Sequence, residues 1–207
     1  MQPGWGWGAE ILPFLEQDAV QNSIDQNRPS ALPPNAGMLS YSMKIFRCPS
    51  DPAPTTVIAS AAFPSLQLAT GNYCGCAGAQ GLGLAGVLYE LSRVRLTDIT
   101  DGTSNTFMLG ERINQPDTGL GSFTSGWYGQ LATDTRYLSN SIAHLEVIGF
   151  VPINYDRKFP SCFSSYHTGG AQFALCDASV RYVSQAIAGT TYEALGSRNG
   201  GEVVGDY

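Results

Sequence analysis

Proline and glycine interrupt this chain so often that a long helix has no room to form. The 207 residues include 24 glycines and 12 prolines, and both residue types are typical of turns. Prolines cluster in NRPSALPPNAG, at 27–37, and in CPSDPAP, at 48–54. Because proline removes a backbone donor and restricts the residue before it, each cluster ends any regular element. The pattern predicts a loop-rich fold built from short elements.

Chain length and charge narrow the class of protein. A chain of 207 residues can bury roughly 70% of its unfolded surface in one core, so we expect a single globular domain over residues 1–207. The formal net charge is −6, and the sequence therefore lacks the basic surface that binds nucleic acid or an anionic membrane. Its apolar runs are also shorter than the ~18 residues that a membrane-spanning helix needs.

The segment AEILPFLEQDAVQNSID, at 9–25, carries apolar residues at helical spacing. Ile11, Phe14 and Leu15, followed by Val20 and Ile24, have helical spacing, and Pro13 is tolerated within a first turn. The spacing predicts a helix over 11–25. Its apolar face needs a partner, and the alternating strands near the end of the chain are the simplest one. We therefore expect an α+β fold in which the N-terminal helix packs on an antiparallel β-sheet.

Those strands lie on either side of a short turn, DAS, and predict a hairpin. The run before the turn begins after His167 and Gly169-Gly170 and ends at Asp177. Six or seven strand residues span about 20 Å, so the histidine and the aspartate are not expected to touch. Asp177 is predicted to accept backbone N–H groups at the turn. His167 is predicted to donate to a carbonyl of a neighbouring loop.

Catalytic motifs are weak in this sequence. The nearest approach to a hydrolytic site is His167 with Asp177 and either Ser164 or Ser165, but G-x-S-x-G and H-E-x-x-H are missing. A G-x-G-x-x-G match at 81–86 follows no buried strand and is interpreted as a flexible surface loop. We expect no enzymatic activity and no organic cofactor.

A cluster of side chains with oxygen ligands suggests a calcium site. Asp98, Asp101, Asn105 and Glu111 fall within a short span, and carboxylate and amide oxygens are calcium ligands. The spacing does not match an EF-hand, and Asp101-Gly102 is typical of a turn, where such side chains cap the backbone. Calcium binding stays open beside this turn-forming role.

Aromatic residues flanked by glycine are the remaining sign of ligand binding. Trp5 and Trp7 lie in GWGWG, and Trp127-Tyr128 lies in SGWYG. Such rings can stack on sugars or partners at loop tips, or anchor a core. Both interpretations stay open.

Five cysteines are present, at Cys48, Cys74, Cys76, Cys162 and Cys176. Four of them can form two disulfides in an oxidising compartment, although buried thiols fit the count as well. Cys74 and Cys76 are only two residues apart, and in an extended chain their side chains point the same way, which does not suit a disulfide between them. We therefore predict Cys48 with Cys74 or Cys76, and Cys162 with Cys176.

Six phrases occur in a fixed order along the chain: WGAEILPFLEQ, FRCPSDP, GNYCGCAG, LTDITDGTSNTFMLGER, SSYHTGGAQFALCDASVRYVS and ALGSRNGGEVVGDY. In this order, over about residues 7–207, they resemble the prepilin-type family named for its H-x9-DG signature, a domain of unknown function. Its members are similar to type II secretion pseudopilins and type IV pilins. Those proteins have a processed N-terminal segment, a long hydrophobic helix and a head outside the cytoplasmic membrane. The domain has also been labelled a solute-binding family.

Two features depart from that family. Its Asp-Gly is Asp177-Ala178 here, so we expect a turn that does not need the backbone conformation of glycine. The processing segment and hydrophobic helix are not part of this sequence, which therefore resembles the head without its membrane stalk.

The resemblance implies a non-catalytic extracytoplasmic head of a pseudopilin-like subunit, anchored to the membrane in its full-length form. Its expected partners are other pilin-like subunits of a pilus or secretion assembly. The alternative is an extracellular glycan- or solute-binding module that uses the glycine-flanked aromatic residues.

Overall fold

The computed structural model describes residues 4–60, 63–79, 85–89, 91–114, 125–129, 144–147, 152–155, 162–205 and 207. Contacts divide the chain into two compact units. Unit 1 comprises Met1–Asn72 and Asn114–Ala143, and unit 2 comprises Tyr73–Ile113 and His144–Tyr207. Each unit has its own hydrophobic core. The single domain expected over 1–207 stays a prediction.

Unit 1 combines short helical turns with one strand pair. Its helical segments are α1 (Trp7–Glu10), a 3-10 turn at Leu12–Leu15, α2 (Asp18–Gln21), and two further 3-10 turns at Asn35–Ser40 and Lys44–Phe46. Strands β1 (Thr56–Ser60) and β2 (Phe63–Ala69) pair antiparallel. The buried core of unit 1 consists of Ala9, Leu12, Val20, Leu39, Met43, Phe46, Leu68, Ala69, Trp127 and Tyr128.

The helix predicted over 11–25 is wrong, because the segment breaks into three short pieces. The break falls at Glu16, whose φ of 57° is left-handed, a conformation that ends a helix. The predicted face is wrong at Phe14, which is 84% exposed, and it omits Leu12, which is buried. Val20 is buried, and Ile11, Leu15 and Ile24 pack against the core of unit 1, as the spacing predicts. Helical spacing identified an apolar segment here but not its geometry, because the packing of a core overrides a weak helical preference.

Unit 2 is built on a five-stranded sheet. Its strands are β3 (Tyr73–Ala79), β4 (Phe107–Glu111), β5 (His144–Val147), β6 (Gly170–Leu175) and β7 (Val180–Ser184). They lie in the order β5-β3-β4-β6-β7. Four strands pair antiparallel, and β5 runs parallel to β3. The predicted C-terminal hairpin is confirmed, with β6 and β7 in register from Gly170 opposite Ser184 to Ala174 opposite Val180.

The helix that packs with this hairpin is the C-terminal one. Helix α3 (Gly189–Gly196) places Tyr192 and Leu195 in the core of unit 2 beside Phe107 and Phe173. The two phenylalanine rings stack with centroids 4.2 Å apart. The α+β, loop-rich fold class is therefore confirmed. The N-terminal segments, however, pack in the core of unit 1, to which residues of β1 and β2 also contribute.

Among the described residues, none of the helices has the length and apolar character needed to cross a membrane.

Candidate functional site

The candidate site is a carboxylate and an imidazole brought together in unit 2. Glu111 ends β4 with its side chain buried, and its Oε1 lies 3.4 Å from Nε2 of His167. The other carboxylate oxygen, Oε2, accepts a hydrogen bond from the backbone N–H of Gln172 at 2.8 Å. The Glu111 side chain is 5% exposed and that of His167 is 38% exposed. The site therefore consists of a buried carboxylate, held by a backbone N–H group, and an imidazole that is accessible to solvent.

The turn SSYHTGG positions the backbone of His167. Ser165 Oγ donates to the carbonyl of Gly170 at 2.6 Å and accepts from the N–H of His167 at 3.0 Å. Gly169 has a φ of 83°, which favours glycine. A Cβ on Gly170 would lie 2.1 Å from the carbonyl oxygen of Val183. Both glycines are therefore required where the chain enters β6.

His167 and Asp177 lie at opposite ends of β6, as the strand length predicts. At the far end, Asp177 Oδ1 accepts from the N–H of Ser179 at 2.9 Å and from its hydroxyl at 2.6 Å. The Ser179 hydroxyl, followed by its N–H, lowers the pKa of Asp177. The turn-capping role predicted for Asp177 is confirmed. The carbonyl partner predicted for His167 stays a prediction; its Nε2 faces the Glu111 carboxylate.

The serines of the suggested hydrolytic site have backbone partners. Ser164 Oγ accepts from the N–H of Ile113 at 3.3 Å, and Ser165 Oγ is bound to Gly170 and His167. Asp177 supports the turn beyond β6. A Ser-His-Asp constellation is therefore not formed by these residues.

The hairpin turn corrects a prediction about Ala178. Its φ is 67°, so this turn does adopt the left-handed conformation that glycine adopts most easily. The N–H of Ala178 donates to the carbonyl of Leu175 at 3.0 Å, and the N–H of Leu175 donates to the carbonyl of Ser179 at 2.9 Å. This is the geometry of a three-residue hairpin loop whose last residue is left-handed. Alanine occupies that position with strain.

The proposed calcium ligands do not converge. Asp98 Oδ2 accepts from the N–H of Arg95 at 2.8 Å, and the Asp101 carboxylate accepts from the N–H groups of residues 200 and 201 at 2.7 and 2.9 Å. Asn105 donates to the carbonyl of Asp101 at 3.5 Å. Glu111 belongs instead to the pair with His167. The turn-forming alternative fits these residues, and Gly102, with a φ of 93°, supplies the turn.

The Gly-rich match at 81–86 has one described glycine. Gly81 and Gly83 lie outside the described residues, whereas Gly86 is buried. Its N–H donates to the carbonyl of Ala77 at 2.8 Å, and a Cβ would lie 2.4 Å from the Ala77 carbonyl carbon. The surface-loop interpretation is therefore wrong at Gly86, where glycine allows two backbone segments to touch.

The glycine-flanked aromatics anchor the core of unit 1. Trp127 is 2% exposed and Tyr128 is fully buried; the indole of Trp127 donates to the Tyr41 carbonyl at 2.9 Å. Burial raises the pKa of Tyr128. Trp5 stacks on Trp127 with ring centroids 6.3 Å apart, and Trp7 meets Phe46 edge-on. Of the two interpretations, the structure supports core anchoring.

The predicted disulfides are not formed. All five cysteines, which the structure describes, are thiols. Cys74 and Cys76 lie in the apolar core of unit 2, and burial raises the pKa of Cys76 to about 12. Burial, and then the charge of Asp177, raises that of Cys176 to about 11.

Two buried polar groups had no clear signal in the sequence. In unit 1, Asp51 Oδ2 accepts from the N–H and the amide of Asn114 at 2.9 and 3.0 Å, and from the amide of Asn72. In unit 2, Arg112 is buried beside the thiols of Cys74 and Cys162, and the desolvation lowers its pKa. The only hint was that Asp51 stands between two prolines in CPSDP, where an aspartate is typical of a turn.

Comparison with known proteins places this chain in a family. Residues 1–190 match the model of SBP_bac_10, described as "Protein of unknown function (DUF1559)". The search of curated proteins and the search of solved structures each return no match. Since the family model covers most of the chain, the protein belongs to the DUF1559 family.

Proposed function

We propose that this protein is the non-catalytic extracytoplasmic head of a pseudopilin-like subunit in a pilus or secretion assembly. The support comes from the six ordered phrases, including the histidine and aspartate spaced as in the H-x9-DG signature. Its partners are other pilin-like subunits. Its location is the periplasm or cell surface, with attachment to the membrane in the full-length form.

One observation carries the proposal: the phrases of the resemblance that lie in unit 2 bond to each other. The LTDITDGTSN phrase holds the C-terminal phrase through Asp101, which accepts from the N–H groups of residues 200 and 201. The same phrase accepts from the N–H of Asp177 through the Thr103 carbonyl, at 3.1 Å. Glu111, at the end of the same LTDITDGTSNTFMLGER phrase, faces His167 of the SSYHTGG phrase. Side chains used in this way stabilise a scaffold, which is what a structural subunit needs.

The glycan-binding alternative has less support. It relied most on Trp127 and Tyr128, whose rings are buried in unit 1. A sugar-stacking platform needs an accessible ring face. Trp5 and Trp7 are only partly exposed, and each contacts another aromatic ring.

Crosslinking of the full-length protein in its native membrane tests the proposal. A photoreactive phenylalanine analogue is placed at one exposed apolar position at a time: Phe14, Ile45, Leu91, Tyr155 or Val203. We expect adducts with pilin-like subunits from at least one position, identified by mass spectrometry. The matched control is the analogue at Phe107, which is fully buried and should give none. Adducts that contain no pilin-like protein at any position would contradict the proposal.

A glycan array tests the alternative directly. The isolated chain is applied together with Trp5→Ala, since a partly exposed ring can be removed with less damage than Trp127. Specific binding by the original chain that is lost in a folded Trp5→Ala variant would favour the solute-binding module over the structural head.

A further inference from the structure

We propose that Glu111 and His167 bind a divalent transition-metal ion of the zinc class. This site goes beyond the structural role proposed for the head, and neither residue was predicted as a zinc ligand. Three features of the pair carry the proposal: the distance between the facing atoms, the fixed positions of the carboxylate and of the histidine backbone, and the access that solvent has to the imidazole.

The distance between the facing atoms fits two ligands of one ion. A charge-assisted hydrogen bond between nitrogen and a carboxylate oxygen spans about 2.7–2.9 Å. Glu111 Oε1 and His167 Nε2 are 3.4 Å apart, which is long for such a bond. Two ligand atoms at about 2.0–2.1 Å from a tetrahedral zinc ion lie about 3.3–3.4 Å from each other. The observed separation therefore matches an edge of a zinc coordination tetrahedron.

Surrounding residues hold the carboxylate of Glu111 and the backbone of His167 in place. The backbone N–H of Gln172 occupies Oε2 of Glu111 at 2.8 Å, which leaves Oε1 directed at the histidine. The backbone of His167 is held by Ser165 Oγ. Hydrogen bonds of this kind from the surrounding residues orient metal ligands and raise affinity. The carboxylate and the histidine backbone are therefore in place before any ion binds, so that mainly the imidazole has to be ordered on binding.

The ligand types select the class of ion. An imidazole nitrogen with one carboxylate oxygen suits zinc and its first-row neighbours, whereas calcium and magnesium are bound mainly by oxygen. The 38% exposure of the His167 side chain gives the ion a route of entry. The positions that this pair does not fill are completed by water or by an added ligand, as at zinc sites with an open position.

Titration calorimetry with zinc chloride alone tests the site. The reduced protein is compared with Glu111→Gln and His167→Gln, and with His144→Ala, which removes the other histidine of the chain. In Glu111→Gln the amide oxygen can still accept from Gln172, and His167 is half-exposed, so both variants should fold. Far-UV circular dichroism verifies this.

We expect one zinc ion per chain in the original protein and in His144→Ala, and at least a tenfold loss of affinity in each of the other two variants. Cobalt binding should show the same pattern of loss. Zinc binding that is unchanged in both Glu111→Gln and His167→Gln would place the ion elsewhere, for example on the thiols, and would overturn the proposal. Failure of the original protein to bind zinc or cobalt would overturn it equally. If Glu111→Gln does not fold, His167→Gln alone decides between these outcomes.

Discussion

Replacing Ala178 by glycine should stabilise unit 2, although glycine normally weakens a folded chain. Ala178 closes the turn between β6 and β7 with a φ of 67°. A non-glycine residue in this left-handed region costs roughly 1–2 kcal/mol because its Cβ crowds the following carbonyl. The side chain of Ala178 is exposed, so its removal loses no buried contact.

The net gain in the free energy of unfolding is smaller than the backbone strain that the substitution removes. Glycine is more flexible in the unfolded chain, which costs roughly 0.4–1 kcal/mol on folding. At the midpoints of these two ranges, the difference leaves a stabilisation of about 0.8 kcal/mol. For a protein of this size, 1 kcal/mol corresponds to roughly 2–4 °C in Tm, so the variant should melt about 1–4 °C higher.

Urea unfolding of Ala178→Gly beside Ala186→Gly measures the effect. Ala186 is also exposed in unit 2 but has no positive φ, so its replacement should cost about 0.4–1 kcal/mol. All three tryptophans, Trp5, Trp7 and Trp127, belong to unit 1, so far-UV circular dichroism is the better probe of unit 2. If Ala178→Gly loses as much stability as Ala186→Gly, the strain argument is refuted.

Three other predictions follow from the packing and hydrogen bonds. Asp101→Ala should cost about 1–3 kcal/mol by removing charged hydrogen bonds, and hydrogen exchange should accelerate at amides 200–201; unchanged exchange there would contradict the role of Asp101. Trp127→Ala should cost about 3–5 kcal/mol in urea unfolding, as for other buried aromatics, whereas a loss below 1 kcal/mol would argue against core anchoring. The pKa of Cys176 is raised to about 11, so this thiol should react with a disulfide reagent at pH 8 roughly 20-fold more slowly than glutathione. Cys76, with a pKa of about 12, should react more slowly still. A rate for Cys176 equal to that of glutathione would disprove the shift.

The parts of the fold that the sequence predicts are those fixed by local patterns. The β6–β7 hairpin follows from alternating apolar residues on both sides of a three-residue connection, because a link that short allows only antiparallel pairing. The loop-rich character follows from the spacing of glycine and proline. Asp177 was identified as a turn acceptor for the same reason, since its partner Ser179 is two residues away.

Features that depend on distant contacts were not predictable. Trp127 is buried by residues such as Trp5 and Phe46, which lie far from it in sequence, so flanking glycines give no measure of its exposure. The segment 11–25 breaks at Glu16, and Leu12, which lies outside the helical periodicity, is buried in the core of unit 1. The Asp51 network joins groups more than 20 and more than 60 residues away.

The pairing of Glu111 with His167 depends on one irregularity in β4. Phe107 and Gly110 both face the core of unit 2, with a Cβ on Gly110 only 2.6 Å from the rings of Phe163 and Phe173. Residues three apart cannot share a face in a regular strand, because side chains alternate. The register between β4 and β6 shifts between Phe107 and Leu109, and this bulge reverses the faces of all residues that follow. In an unbroken strand Glu111 would share the core face with Phe107. The bulge moves Glu111 to the opposite face. There its carboxylate accepts a hydrogen bond from the N–H of Gln172 in β6 and lies next to His167, which precedes that strand.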